Sequence, residues 1–340
     1  MLTGLFDVEF RLQELDKGGD PLLKLNQTID WEMFRPTLEI IRDTERKSAA
    51  GRPPFDAVLM FKILVLQSLY NLGDDATEYQ IRDRLSFMRF LGLSLGERVP
   101  DAKTIWLFRE QLTQAQLIET LFARFDEHLN ANGFTARKGQ IIDASIVAAP
   151  HQRNTREENA MIKQGRTPEA WEETPHKQRQ KDTDARWVKK NGVTYYGYKN
   201  HLCVDAKHKL IRHWAVTNAA VHDSQIFEEL LDKDNTRGEV WADSAYRSPQ
   251  NLKTLEERSL REHVQRKGVR GRPLSEREQR GNRTRSKVRS RIEHVFGVQA
   301  MRAGVLLLRS IGIWRARSKI GLRNLAYNLD RFGLLATVKG

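Results

Sequence analysis

The 340-residue chain is nearly without cysteine: Cys203 stands alone. One thiol excludes a disulfide scaffold and any cysteine-built zinc cage, and it fits a reducing cytosol. The first residues, Met1-Leu-Thr-Gly-Leu-Phe, carry no basic segment followed by a long apolar one, so no signal peptide is expected. The most apolar stretch, Val58 to Tyr70, is too short for a membrane span and contains Lys62 and Gln67. No Gly-x-Gly-x-x-Gly or Walker pattern is present, which argues against a dinucleotide or nucleotide enzyme. There is no internal repeat and no low-complexity tract.

Charge of one sign is what the chain has in excess. Lys and Arg number 57 and Asp and Glu 44, a formal net charge of +13. A basic surplus of this size points to a polyanion, most simply nucleic acid, and a merely basic enzyme is the alternative. The surplus is concentrated. From Arg266 to Arg291 eleven Lys and Arg residues face only Glu276 and Glu278. Such a cluster displaces counterions from phosphates and binds in a salt-sensitive, sequence-independent way. Within it, Arg270-Gly-Arg-Pro273 has the form of a minor-groove AT-hook core, or else of a plain basic turn. A second Gly-Arg-Pro, at Gly51–Pro53, reads as a turn before a helix.

Apolar periodicity divides the chain. Residues 1–135 read as helical, with a helix over 55–70 apolar all round and therefore buried. Further helices follow a cap at Asp75 or Thr77, a cap at Asp101, and Leu117. The pair near 77–112 suits either a helix-turn-helix reader or ordinary helical packing. Residues 136–340 mix the two periods. Strands are expected at 138–148, 194–204, 210–217 and 239–243, and helices at 223–231, 249–258, 286–298 and 315–332. The polar stretch of about 150–192 reads as an insertion, mobile without its ligand. Strand–helix alternation after a hairpin implies an α+β or α/β fold, a mixed sheet flanked by helices.

Three acids stand out by position. Asp143 follows Ile141-Ile142 in a strand, Asp243 ends Val240-Trp-Ala, and Glu293 lies mid-helix. Two Asp on strands and a Glu on a facing helix suit a pair of hard divalent cations, Mg²⁺ or Mn²⁺. The plainer alternative has Asp143 capping a turn, Asp243 opening a loop, and Glu293 paired with Arg289 one turn earlier.

These acids carry a resemblance. Ile141-Ile-Asp-Ala-Ser145, Trp241-Ala-Asp-Ser-Ala-Tyr246 and Arg289-Ser-Arg-Ile-Glu-His-Val-Phe-Gly297 resemble the catalytic motifs of bacterial insertion-sequence DDE transposases. The nearest group is the superfamily of insertion sequences four and five. Arg52-Pro-Pro-Phe-Asp56, Pro100-Asp-Ala-Lys-Thr104, Tyr196-Gly-Tyr-Lys-Asn-His201, Val221-His-Asp-Ser224 and Ile320-Gly-Leu-Arg-Asn-Leu-Ala-Tyr-Asn328 match in order, over most of the chain. The resemblance implies a ribonuclease-H-like catalytic core over residues 136–340 behind a helical DNA-binding or assembly domain over residues 1–135. It implies a metal-dependent enzyme that cuts the ends of an insertion sequence and joins the 3′-hydroxyl to target DNA. Asp143, Asp243 and Glu293 would then be catalytic metal ligands for Mg²⁺ or Mn²⁺, two ions in all. Arg283, Arg285, Lys287, Arg289 and Arg291 would face DNA, and Lys199 and His201 DNA or the site; for His201 and His222 the plainer alternative is a local hydrogen bond on a strand or loop. Partners would be double-stranded transposon ends and target DNA, with a homodimer or higher multimer on DNA, no membrane, and a bacterial cytoplasmic, nucleoid-associated location. The alternatives are a ribonuclease-H-like nuclease that only hydrolyses, and a non-catalytic DNA-binding protein. In one respect the sequence departs: the related subgroup has tyrosine three residues before its arginine and lysine seven after its glutamate. Here those positions are Ser286 and Ala300, with Arg302 close by.

Overall fold

A computed structural model describes residues 4, 6–42, 53–190, 192–235 and 237–339. Gly51-Arg52 of the first Gly-Arg-Pro, most of the first five residues and the side chain of Arg302 lie outside the described residues. Cα proximity divides the chain into two units. One comprises Met1–Phe134, Met301–Gly304 and Gly321–Gly340, the other Thr135–Ala300 and Val305–Ile320. The sequence reading keeps residues 136–340 together, whereas these contacts return 301–304 and 321–340 to the first unit. Among the described residues no helix is long and apolar enough to cross a membrane.

The first unit is helical: α1 (Asp7–Lys17), α2 (Pro21–Thr28), α3 (Arg35–Glu39), α4 (Ala57–Tyr70), α5 (Asp74–Asp83), α6 (Leu85–Leu91), α7 (Ala102–Gln114) and α8 (Leu117–Ala131). Asp56 caps α4 through the Leu59 N–H at 2.9 Å, and Asp101 caps α7 through Thr104. As its apolar circumference implies, α4 is buried on every side. Trp31 and Phe34 pack on its Phe61, edge-on and tilted, and Phe90 meets Trp31 edge-on. Phe332, from the end of the chain, closes this core against Phe125 and Phe134.

One cation is trapped in that core. The Lys62 Nζ lies 4.8 Å from the Phe90 ring centroid and 5.6 Å from that of Trp31. Burial pushes Lys62 down to about 8 from its ordinary 10.5. The unfolded chain therefore binds more protons than the folded one between these values, and stability rises with pH across that window. Below it the buried charge costs its full amount, partly offset by the rings. Lys62→Met is expected to be more stable than the wild type at pH 7 by about 1–2 kcal/mol, after allowing for partial solvent access. Denaturant unfolding at pH 7 and pH 10 checks this: the gap must narrow at pH 10.

The second unit is built on a six-stranded sheet. Its elements are β1 (Gln140–Ala148), α9 (Arg156–Lys163), α10 (Glu169–Glu172), α11 (Pro175–Arg179), β2 (Arg186–Lys190), β3 (Val193–Asp205), β4 (Ile211–Asn218), α12 (Phe227–Leu230), β5 (Glu239–Ala242), α13 (Pro249–Glu257), β6 (Arg261–Val264), α14 (Glu276–Ala303) and α15 (Ile313–Lys339). The last two helices run on into the first unit's residues. Strand β1 is antiparallel to β3 and parallel to β5, and β5 is parallel to β6. The long β3 pairs with β4 over 198–204 and with β2 over 193–197, both on the edge away from β1. Four antiparallel strands followed by two parallel ones make the mixed sheet expected from the sequence.

Alternation along the strands sends two apolar sets to opposite faces. Ile142, Cys203, Ala215, Val240 and Val264 pack against Phe227 and Leu230 of α12 and Leu255 of α13. Val147, Tyr196, Tyr198 and Val216 pack against Leu308 and against Ala316 and Ile320 of α15. Gly197, between the two tyrosines, has φ +149°, and a Cβ there would lie 2.3 Å from the Val147 carbonyl oxygen. Only glycine lets β1 and β3 meet at that register.

The insertion is not a bare loop. Thr155 and Glu158 form a capping box on α9. Trp171 is fully buried, donates its Nε1 to Glu158 at 2.7 Å, and has Lys177 and Lys181 beside its ring. The buried Asp182 accepts the Tyr198 hydroxyl at 2.8 Å, tying the lobe to β3. Trp171 gives this polar stretch a small core of its own.

Candidate active site

Register brings the two aspartates together. Ile142 pairs with Ala242 on the parallel strands β1 and β5, so Asp143 and Asp243 are the next residues on neighbouring strands. Asp243 leaves the sheet at once, and its Oδ1 accepts the Ala245 N–H at 2.8 Å. Asp143 accepts the Ala144 N–H at 2.8 Å. Burial pushes the Asp143 carboxyl up to about 6, against the pull of Arg289 and the Ala144 N–H, and Asp243 adds to the rise.

The third acid arrives on α14. Arg289 Nη1 lies 2.6 Å from Asp143 Oδ2, and Arg289 Nη2 lies 3.2 Å from Glu293 Oε1. One guanidinium therefore bridges an acid on the sheet and an acid on the helix, 146 positions and four positions away in sequence. The helix is fixed by its preceding turn. Gln265, whose N–H bonds Ala242 at the end of β5, donates its side chain to Ser286 at 2.6 Å. Ser286, where the related subgroup has tyrosine, is thus an anchor between α14 and the sheet. Nothing in the sequence singles out Gln265.

The other expected residues separate into three groups. Lys199 and His201 are buried on β3. Lys199 Nζ donates to Val221 O at 2.7 Å and to Asp223 Oδ1 at 2.8 Å. His201 Nε2 meets Thr217 Oγ1 at 2.8 Å, and burial pushes the imidazole down to about 4, so it is neutral at pH 7. Both side chains are buried and hydrogen-bonded to the protein's own groups, and for His201 this is the local strand hydrogen bond of the plainer alternative. Asp223 is their missed neighbour, and its signal was the Val-His-Asp-Ser motif. Arg291 is half committed, donating Nη1 to Ala206 O at 2.7 Å. Arg283 and Lys287 are exposed on α14, and Arg285 is half-buried beside them.

The donor set is made of carboxylates alone, the chemistry of a hard divalent cation. As arranged, no three His, Cys, Asp or Glu side chains among the described residues form a metal-holding group. The positive charge among these acids is that of Arg289.

Known families match both parts of the chain. The Transposase DDE domain family matches residues 135–329, and the family Transposase domain (DUF772) matches residues 10–111. The chain belongs to the DDE transposase family. The fold also has a likeness to a piggyBac transposase solved by cryo-electron microscopy as a synaptic complex with hairpin DNA. Identity is 13%, the TM-score is 0.48, and the match covers 94% of this chain and 76% of that one. DDE transposases generally use divalent metal ions.

Proposed function

We propose that this transposase cuts the ends of an insertion sequence and joins the freed 3′-hydroxyl to target DNA at Asp143, Asp243 and Glu293. Residues 136–340 are the catalytic part and residues 1–135 the DNA-binding or assembly part. The observation that carries the reading is the convergence of these acids: two in register on parallel strands, the third linked to the first through Arg289.

The same three carboxylates would hold Mg²⁺ or Mn²⁺, two ions in this reading. When bound, such ions acidify the attacking hydroxyl and neutralise charge at the scissile phosphate. Arg289 now neutralises Asp143 and Glu293. Once their oxygens serve as ligands, its guanidinium fork is free for a phosphate oxygen. No histidine base is required, which agrees with a neutral, buried His201. The exposed Arg283 and Lys287 continue the cationic track along α14 toward the DNA backbone, and a homodimer or higher multimer would hold paired ends.

Incubation of the protein with Mg²⁺ or Mn²⁺, DNA bearing the element's own ends and a supercoiled target tests this. Joined products with a donor 3′-hydroxyl are expected. Cleavage without joining would replace the reading with a hydrolytic nuclease, and intact DNA would leave only a binding protein. Binding should also weaken steeply with salt. Arg283→Ala is expected to flatten the log–log salt slope by about one unit. An unchanged slope removes Arg283 from the interface.

A further inference from the structure

Residues 265–275, between β6 and α14, form a cationic finger that the catalytic reading leaves unused. Val269 and Arg272 bond each other's backbones in both directions, at 3.1 and 2.9 Å, and so close a two-residue turn. Gly271, in that turn, has φ +82°, which glycine alone adopts without strain. Arg270, Gly271, Arg272 and Pro273 are all exposed, as is Val269 at 68%. The Arg270 and Arg272 side chains have no hydrogen-bond or ion-pair partner among the described residues.

Both legs of the finger are pinned to the first turns of α14. Asn282 accepts the Arg266 N–H at 2.9 Å and donates to the Arg266 carbonyl at 2.8 Å. Gln279 donates to the Leu274 carbonyl at 3.0 Å. Arg266 itself is spent on Glu278 at 3.2 Å. The tip is therefore held in one shape before any ligand arrives, which lowers the ordering cost of binding.

We propose that this finger enters the minor groove of A·T-rich duplex DNA, with Arg270 and Arg272 on either side of Gly271. The inference rests on the DNA reading above and adds the groove and the base composition. A phosphate contact needs only a surface cation. A groove about 6 Å wide needs a slim backbone, and a glycine-tipped turn followed by proline supplies one. Narrow A·T grooves concentrate negative potential and draw arginine in. The guanine 2-amino group stands in the way of the same entry.

Fluorescence anisotropy of the full-length protein tests it with four short duplexes: A·T, G·C, inosine·C and 2,6-diaminopurine·T. Inosine removes the minor-groove amino group from a G·C pair, and diaminopurine adds it to an A·T pair. The wild type is expected to bind A·T and inosine·C about tenfold tighter than the other two. Arg270→Ala combined with Arg272→Ala should erase that preference while still binding all four. Equal wild-type affinity for A·T and diaminopurine·T, or a preference that survives in the double variant, overturns the proposal. Absence of binding to every duplex overturns the DNA reading itself.

Discussion

Asp143→Asn is expected to reduce end cleavage by about a thousandfold or more while leaving the protein folded. The substitution keeps size and shape, and asparagine still accepts the Ala144 N–H. What it removes is the charge facing Asp243 and Arg289. The charge stabilisation that divalent ions held by such carboxylates would supply in phosphodiester displacement is worth several kcal/mol, which sets the size of the loss. Stability should move the other way or not at all. Burial works against an ionised Asp143, so its neutral replacement lifts a cost from the folded state. Acids placed for chemistry rather than for folding show this opposition. Single-turnover cleavage with Mg²⁺, beside thermal unfolding, reads both quantities. Asp234→Asn, at an exposed acid of the same unit, should keep wild-type cleavage and serves as the control. A folded Asp143→Asn that cuts at the wild-type rate removes Asp143 from the chemistry.

The strands that carry Asp143 and Asp243 were legible because each is an apolar run ended or interrupted by one acid. The start of the Glu293 helix was not. Sequence periodicity begins it at Ser286, whereas α14 begins at Glu276. Residues 276–285 lack an apolar stripe but are rich in Glu, Arg and Gln, which favour a helix without marking a face. Strand β6 escaped notice because only Val264 of its four residues is buried. Its importance lies beyond its end, where Gln265 reaches Ser286. The partners of Lys199 and His201 were hidden for a related reason. Polar residues on a strand look like surface until their partners are known, and Asp223 and Thr217 stand 24 and 16 positions away. The bridge made by Arg289 was half visible. Its pairing with Glu293 follows from helix spacing, but its bond to Asp143 depends on how α14 meets the sheet.

Trp171→Ala should cost about 3–5 kcal/mol, the usual loss for a fully buried tryptophan, and the loss should be local. The insertion buries little else: Ile162, Pro168 and Ala185 are the other buried apolar side chains among its described residues. Removing Trp171 also strips Glu158 of its indole partner, leaving Lys177 at 3.3 Å and the Thr155 N–H at 2.8 Å. A lobe with so small a core opens before the sheet does, because β1 and β3 keep their own ladder and apolar cluster. The segment 153–181 is rich in Arg and Lys, so trypsin reports its opening directly. Cleavage there should quicken by about a hundredfold or more if it follows the population of the open form. The main thermal transition should shift far less. Trp187→Ala is the contrast: that ring is 42% exposed and lies between His151 and Tyr196, so cleavage should change little. If Trp171→Ala resists trypsin like the wild type, the lobe is held through Asp182 and Tyr198 instead. A global collapse would mean that the lobe and the sheet fold as one cooperative body.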